Sequence, residues 1–268
     1  KVLDTLEKLL KDEREKYEGW WGAFGMVLKE GMFHSDDHRE AVASLSLFET
    51  TEAEGLATLN EYVDRMPVKQ KAIYTIAGPD RKALEASPHL EKLAAEGFEV
   101  IFLTDQVDEF AMGRLTEFAG KPIQPVERGE VELDEDEDKK KEREEKSEEL
   151  KSLLEAVQTE LEEDVSEVRF SGRLTDSAAV LVTAEGAMSA NQERILKAAR
   201  QDVFHQKRVL ELNADHALVA RLEGLREGDA KRFGDYCHLI LDQALLAEGS
   251  AVKDTARFGK LVTELMVG

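Results

Sequence analysis

Apolar residues recur at helical steps from the start of the chain. Leu3, Leu6, Leu9 and Leu10 lead into Tyr17, Trp21, Phe24 and Leu28. Steps of three and four put side chains on one helix face. Residues 2–28 are therefore predicted as helix, with Gly31 as its stop. A second helix is predicted over 39–48, capped by Ser35 or Asp36. Residues 51–63 read as loop and then briefly as helix. The pattern next changes to short apolar runs. Residues 72–77 are rich in β-formers and are cut off by Gly78-Pro79, so they read as a strand. Ser87-Pro88 opens a helix, with serine as cap and proline where its missing N–H costs nothing. Gly97 closes it. Residues 98–103 form a second strand, apolar enough to be buried on both faces. Two strands joined by one helix imply parallel pairing with a right-handed crossover. A further helix is predicted over 108–118.

From 134 to 149 only Ser147 is uncharged. Such a run buries nothing, so it is a linker or an exposed helix. Its lysines and glutamates at helical spacing favour an exposed helix flowing into residues 150–161. Beyond it, 165–171, 178–183 and 208–212 read as strands of a small sheet. Between them, 187–200 reads as a helix, with Ser189 and Gln192 spaced as a capping box. Two helical patterns end the chain. Phe233, Tyr236, Cys237, Ile240, Leu241, Ala244 and Leu245 repeat in the first; Phe258, Leu261, Val262, Leu265 and Met266 repeat in the second. Gly249-Ser250 separates them into a hairpin. The fold class expected is mixed α+β and α/β. A small βαβ-containing part covers 1–129. An α+β part covers 130–268, begins with a charged linker or exposed helix over 130–150, and ends in the helical hairpin.

At 268 residues the chain has room for about two domains. Its net charge of -21 gives no general pull toward nucleic acid or anionic lipid. The one cysteine, Cys237, excludes an intrachain disulfide and reads as a small buried hydrophobe. No apolar run approaches a membrane span, and no signal peptide is visible. The first residue is lysine, not methionine, so the chain is expected to be cut from something longer.

Catalytic signatures are sparse. The P-loop, GxSxG and CxxC patterns are missing, and no GxGxxG follows a strand. The turn at Ala77-Gly78-Pro79-Asp80 lacks the glycines that admit a pyrophosphate. No catalytic residue and no metal site are assigned. His34 and His38, beside Asp36 and Asp37, have ligand spacing if helical, but no further ligand is evident, and a helix cap with surface histidines is the plainer reading. Trp20 and Trp21 suggest a binding platform or a core. Trp21 shares a face with Tyr17, Phe24 and Leu28, which favours the core. Met188, Ile195, Leu196 and Ala199 form a short apolar stripe suited to packing or to adaptable binding. The terminal helices carry more apolar surface than one hairpin buries, so they pack on their own sheet or on a second copy.

Read as text, several blocks resemble the heat-shock protein 90 family of chaperones. They include KYEGWWGAFGMVLKEG, LATLNEYVDRMPVKQKAIYTIAG, SPHLEKLAAEGFEVIFLTD, RLTDSAAVLVT, AMSANQERILKAA, KRVLELNADHALVARL and LILDQALLAEGSAVKD, in that order. The register is most similar to bacterial members, with Gln106 where eukaryotic relatives usually have proline. The resemblance implies the lower part of the family's middle domain followed by its C-terminal dimerisation domain. It implies a chaperone that binds partly folded clients, a cytoplasmic location, and other chaperones as partners. A homodimer is implied through Phe233, Tyr236, Ile240, Leu241, Ala244, Leu245, Phe258, Leu261, Val262 and Leu265. The sequence ends in Val267-Gly268 without the acidic tail that recruits tetratricopeptide co-chaperones, so no such partner is expected through the C-terminus. Client contacts are implied at Glu109, Phe110 and Gly113, where the bacterial pattern has Glu, Trp and Asn. They are implied also at Met188, Gln192, Ile195 and Leu196, where the pattern has two methionines and Leu-Phe. ATP and its Mg are implied only for the intact protein, in a domain upstream, so no cofactor is expected here.

Overall fold

The computed structural model describes residues 1–34, 36–52, 54–131, 137–203 and 206–267, with backbone alone over 137–139. Among them helices and strands are mixed, and the chain divides into two compact units. The first is Lys1–Glu85 with Glu96–Val126; the second is Ala86–Ala95 with the chain from Glu127 onward.

The first unit opens with two helices, not one. α1 (Val2–Asp12) ends at Glu13, whose backbone leaves the helical region, and α2 (Arg14–His34) follows. The polar stretch 11–16 holds no apolar position to betray the break. Gly31 does not stop α2; its Cβ position faces the Val42 side chain, and the helix runs on for three more residues. α3 (Arg39–Leu45) is preceded by His38 at the cap rather than Asp36, while Ser35 lies outside the described residues. The helix predicted to Phe48 ends earlier, because Leu47–Thr50 is strand β1. A two-residue strand β2 (Ala57–Thr58) precedes α4 (Leu59–Arg65), which Thr58 and Glu61 close with a reciprocal capping box. β3 (Ile73–Ala77) leads through Gly78 to the short α5 (Arg81–Glu85).

Ser87 caps a 3-10 turn over Pro88–Leu90 that runs into α6 (Glu91–Glu96), and Gly97, at φ 69°, ends it. β4 (Val100–Leu103) is buried along its whole length and pairs parallel with β3, as expected. α7 (Asp108–Met112) is only one turn and a half, so the helix predicted to Phe118 is corrected. β5 (Glu117–Phe118) and β6 (Lys121–Pro125) form a hairpin there instead. Its two loop residues, Ala119 and Gly120, both have positive φ, the twist a two-residue hairpin loop requires. The sheet order is β2-β1-β4-β3-β6-β5. Its core gathers Met32, Phe48, Tyr62, Ile73, Ile101 and Phe118. A second cluster joins Leu6, Tyr17, Trp21, Leu45 and Leu47. Phe24 is not core: it is 52% exposed and stacks on Trp20.

In the second unit, α8 (Glu137–Glu149) carries most of the charged run, whose beginning at 134–136 lies outside the described residues. Leu150 interrupts it before α9 (Lys151–Glu160), so the expected continuous helix is two. β7 (Val165–Phe170), β8 (Ala179–Val182) and β9 (Arg208–Leu212) build the small sheet, in order β7-β9-β8. α10 (Ala190–Ala198) connects β8 to β9. α11 (Ala217–Gly228), not foreseen above, precedes α12 (Ala230–Glu248) and α13 (Thr255–Val267). Gly249, left-handed at φ 83°, separates these last two. One core holds Leu153 and Val157 of α9, the inward residues of β7 and β9, Leu222 of α11, and Phe233, Cys237 and Ile240 of α12. Burial pushes the Cys237 thiol up to about 12, so it stays protonated and behaves as a hydrophobe.

Candidate functional site

The sequence-predicted residues fall on or beside four helices, α7, α10, α12 and α13. In the first unit, α7 follows the buried end of β4. Glu109 is buried, Phe110 is half-buried and Gly113 is exposed. Ala111 and Met112 enter the core, but Phe110 does not. Gly113 closes the helix through its N–H to the Glu109 carbonyl at 3.0 Å. Its φ of -62° suits any residue, yet a Cβ would press on that same oxygen at 3.0 Å. The N-cap, Val107, supplies no side-chain bond. The first turn is held by charge instead. Lys29, buried on α2, places Nζ 2.6 Å from Asp108 and 2.8 Å from Asp105.

In the second unit, α10 bears Gln192, Ile195 and Leu196, and Met188 stands just before its Ser189 cap, all four half-buried. None belongs to the main apolar cluster. The buried residues of this helix are polar: Asn191 and Glu193. Glu193 faces Arg208 of β9 at 3.3 Å, and Arg208 reaches Glu248 of α12 at 3.0 Å. The capping box forms as predicted, with the Gln192 N–H on the Ser189 hydroxyl at 3.0 Å and the Ser189 N–H on the Gln192 amide oxygen at 3.3 Å. Arg128 donates to the same amide oxygen at 3.1 Å and to the Ala187 carbonyl at 3.1 Å. Gln192 is therefore committed to fixing the helix start. Met188 before the cap, with Ile195 and Leu196 on the helix, is left as a short apolar stripe beside these polar bonds.

The terminal helices divide their stripe. Phe233, Ile240, Leu241, Ala244 and Leu245 are used by the unit's own core, and Tyr236 packs at its edge. On α13, Leu261 is buried and Phe258 and Val262 are half-buried. Leu265, Met266 and Val267 are 51%, 82% and 83% exposed, and Leu246 on α12 is 50% exposed.

The turn after β3 does not make a phosphate cradle. A Cβ on Gly78 would sit 2.5 Å from Leu84, so the glycine serves packing. Asp80 accepts the Ala83 N–H at 3.0 Å and opens α5. Among the described residues, no group of three His, Cys, Asp or Glu is arranged to hold a metal, His34 and His38 included. No helix of the described residues is long and apolar enough to cross a membrane.

Sequence reasoning missed Lys29, Arg128, Glu193 and Arg208, which hold the two candidate helices. Their partners lie far along the chain, and no local spacing announces such pairs.

The family model described as Hsp90 protein matches residues 1–268. Chaperone protein HtpG of Geobacter metallireducens is 46% identical over an alignment taking in 100% of this chain and 42% of that protein. The protein of the same name in Magnetococcus marinus is 45% identical, over 100% of this chain and 43% of its own length. That of Myxococcus xanthus is 41% identical, over 99% and 41%. The chain spans about two fifths of the length of the curated relatives it matches.

Proposed function

The chain belongs to the Hsp90 protein family, and from that premise we propose that it binds short apolar segments of partly folded proteins and pairs with a second copy of itself. The observation that carries the reading is the stripe of Met188, just before the α10 cap, with Ile195 and Leu196 on α10, outside the unit's main core. Phe110 on α7 supports it independently as a half-buried aromatic outside its own core. Each patch is small. Burying such a side chain fully contributes about 1.5–3 kcal/mol, against about 4–15 kcal/mol lost on association. Binding at one patch is therefore weak, and doubling the patches by pairing two copies compensates. The exposed end of α13 and Leu246 support the pairing, with the rest of the α12 stripe serving the fold.

We assign no ATP chemistry to these residues. A cytoplasmic location and a partnership with other chaperones belong to the same proposal. The net charge of -21 gives no general pull toward nucleic acid or anionic lipid.

The test is light scattering of a destabilised protein with increasing amounts of the chain. Suppression should fall when Phe110→Ala is combined with Met188→Ser. A second reading, a scaffold that dimerises without client affinity, is favoured by Gln192, whose amide is occupied by Ser189 and Arg128. No suppression at any ratio would leave that reading standing and end the first.

A further inference from the structure

Lys29 lies on the inner face of α2 and is only 3% exposed. Its ammonium stands 4.8 Å from the Phe48 ring centre and 5.5 Å from that of Trp21. Water is thus largely replaced by ring faces, which attract a cation. Two carboxylates complete the surroundings, Asp108 at 2.6 Å and Asp105 at 2.8 Å. Asp108 is itself buried, and its second oxygen accepts the Asp105 N–H at 3.0 Å. Burial drives the Asp108 carboxyl above the usual range, while Lys29 pulls against that rise. A buried carboxylate without its cation is costly, so the pair is strongly coupled.

α7 has five residues, too few to be held by its own hydrogen bonds. Whatever fixes its first turn therefore fixes its rotation. Residues two apart on a helix point about 200° from one another. Asp108 turned inward to Lys29 thus turns Phe110 away from it.

We propose that Lys29 is the positioning residue of the α7 surface: by drawing Asp108 and Asp105 against α2, it sets the rotation of α7 and presents Phe110 to a client's apolar segment. The client half of this inference rests on the reading of Phe110 given above. The positioning half does not.

Hydrogen exchange separates the two. The whole chain is compared with Lys29→Met, Asp108→Asn and the double variant. In Lys29→Met the unpaired Asp108 should leave its site. Amides of 108–113 then exchange about tenfold faster or more, while those of β3 and β4 stay within about threefold of wild type. The double variant carries no unpaired buried charge, so its core should be as stable as wild type. It lacks the pair that turns α7, so amides of 108–113 should stay faster than wild type and Phe110-dependent suppression of aggregation should stay weakened. Asp108→Asn keeps the Lys29–Asp105 pair and should loosen α7 by a smaller factor, which keeps the test alive if Lys29→Met does not fold. Unchanged exchange in α7, equal loosening of β3 and β4, or a double variant with α7 as protected as in wild type would each overturn the proposal. A wild-type chain that suppresses nothing removes the client reading, yet the exchange pattern still decides the positioning role.

Discussion

Gly22 and Gly25 lie within one turn of α2 and carry opposite consequences. A Cβ on Gly25 would meet the Trp21 ring at 2.6 Å, whereas one on Gly22 would meet nothing within 4 Å. Gly25→Ala has to displace a buried tryptophan and should destabilise the first unit by about 1–3 kcal/mol. Gly22→Ala gains helix propensity in open space and should stabilise it by about 0.5–1 kcal/mol. Urea unfolding followed by tryptophan fluorescence measures both, and equal effects would contradict the packing of Trp21. His89 in the second unit makes a different kind of demand. A guanidinium only donates, so Arg173 at 3.5 Å leaves His89 Nδ1 as the acceptor. Burial first, and Arg173 second, push the His89 pKa down from 6.5 to about 3. The unfolded chain therefore takes up a proton between those values that the folded chain refuses. Stability is complete above pH 6.5 and falls as pH drops toward 3, by up to about 1.4 kcal/mol per pH unit. Unfolding midpoints of wild type and His89→Asn across that window isolate the contribution. Parallel acid slopes would show that His89 is not held neutral. Nearby, Glu91 is held in its charged form, and its contribution too is lost as pH falls. Burial raises its carboxyl, but the N–H groups of Ser177, Asp176 and Thr175 outweigh that and hold it below the usual range.

At the scale of elements, helix α10 separates what is readable in a sequence from what is not. Its capping box was legible because Ser189 and Gln192 are three residues apart and the bond is local. Ser189→Ala should cost about 1 kcal/mol and speed exchange of the first α10 amides without moving the unfolding of the β7-β9-β8 core. Loss of the whole unit's cooperativity would mean that α10 is part of that core after all. The anchor between Glu193, Arg208 and Glu248 was illegible, since those side chains meet only when β9 and the end of α12 are in place. Likewise β3, β4 and β9 were legible from apolar runs bounded by glycine, proline or charge. The break at Glu13 was not, because a polar stretch looks the same bent or straight. The β5–β6 hairpin was missed because its loop is Ala119-Gly120, and alanine gives no warning of a positive φ. α11 is a different failure. Val219, Leu222 and Leu225, all buried, were already spaced as a helix face behind the His216 cap. The candidate site follows the same rule. Its apolar residues could be marked on the sequence, but the charged pairs that turn them outward could not.

For the molecule as a whole, charge and the exposed end of α13 act against each other. Each chain carries -21, so two chains repel as they approach. Leu265, Met266 and Val267 nevertheless offer apolar surface that one copy leaves in water. If these residues pair two copies, attraction is short-ranged and apolar, while repulsion is long-ranged and screened by salt. Association should therefore tighten as ionic strength rises, the reverse of an interface built on ion pairs. Sedimentation equilibrium over a wide concentration range, at low and high salt, tests the sign. Removing the chain after Gly249 should abolish the dimer, but it also deletes the buried Leu261 and uncovers the α12 face beneath it, so its failure to pair would be ambiguous. Leu265→Glu with Met266→Glu is the cleaner change. Both side chains are already exposed in one copy, so unfolding of the isolated chain should shift by no more than about 0.5 kcal/mol while dimerisation is lost. A dimer that survives this double change, or that weakens as salt rises, would move the interface off the α13 end and onto the charged surface of the second unit.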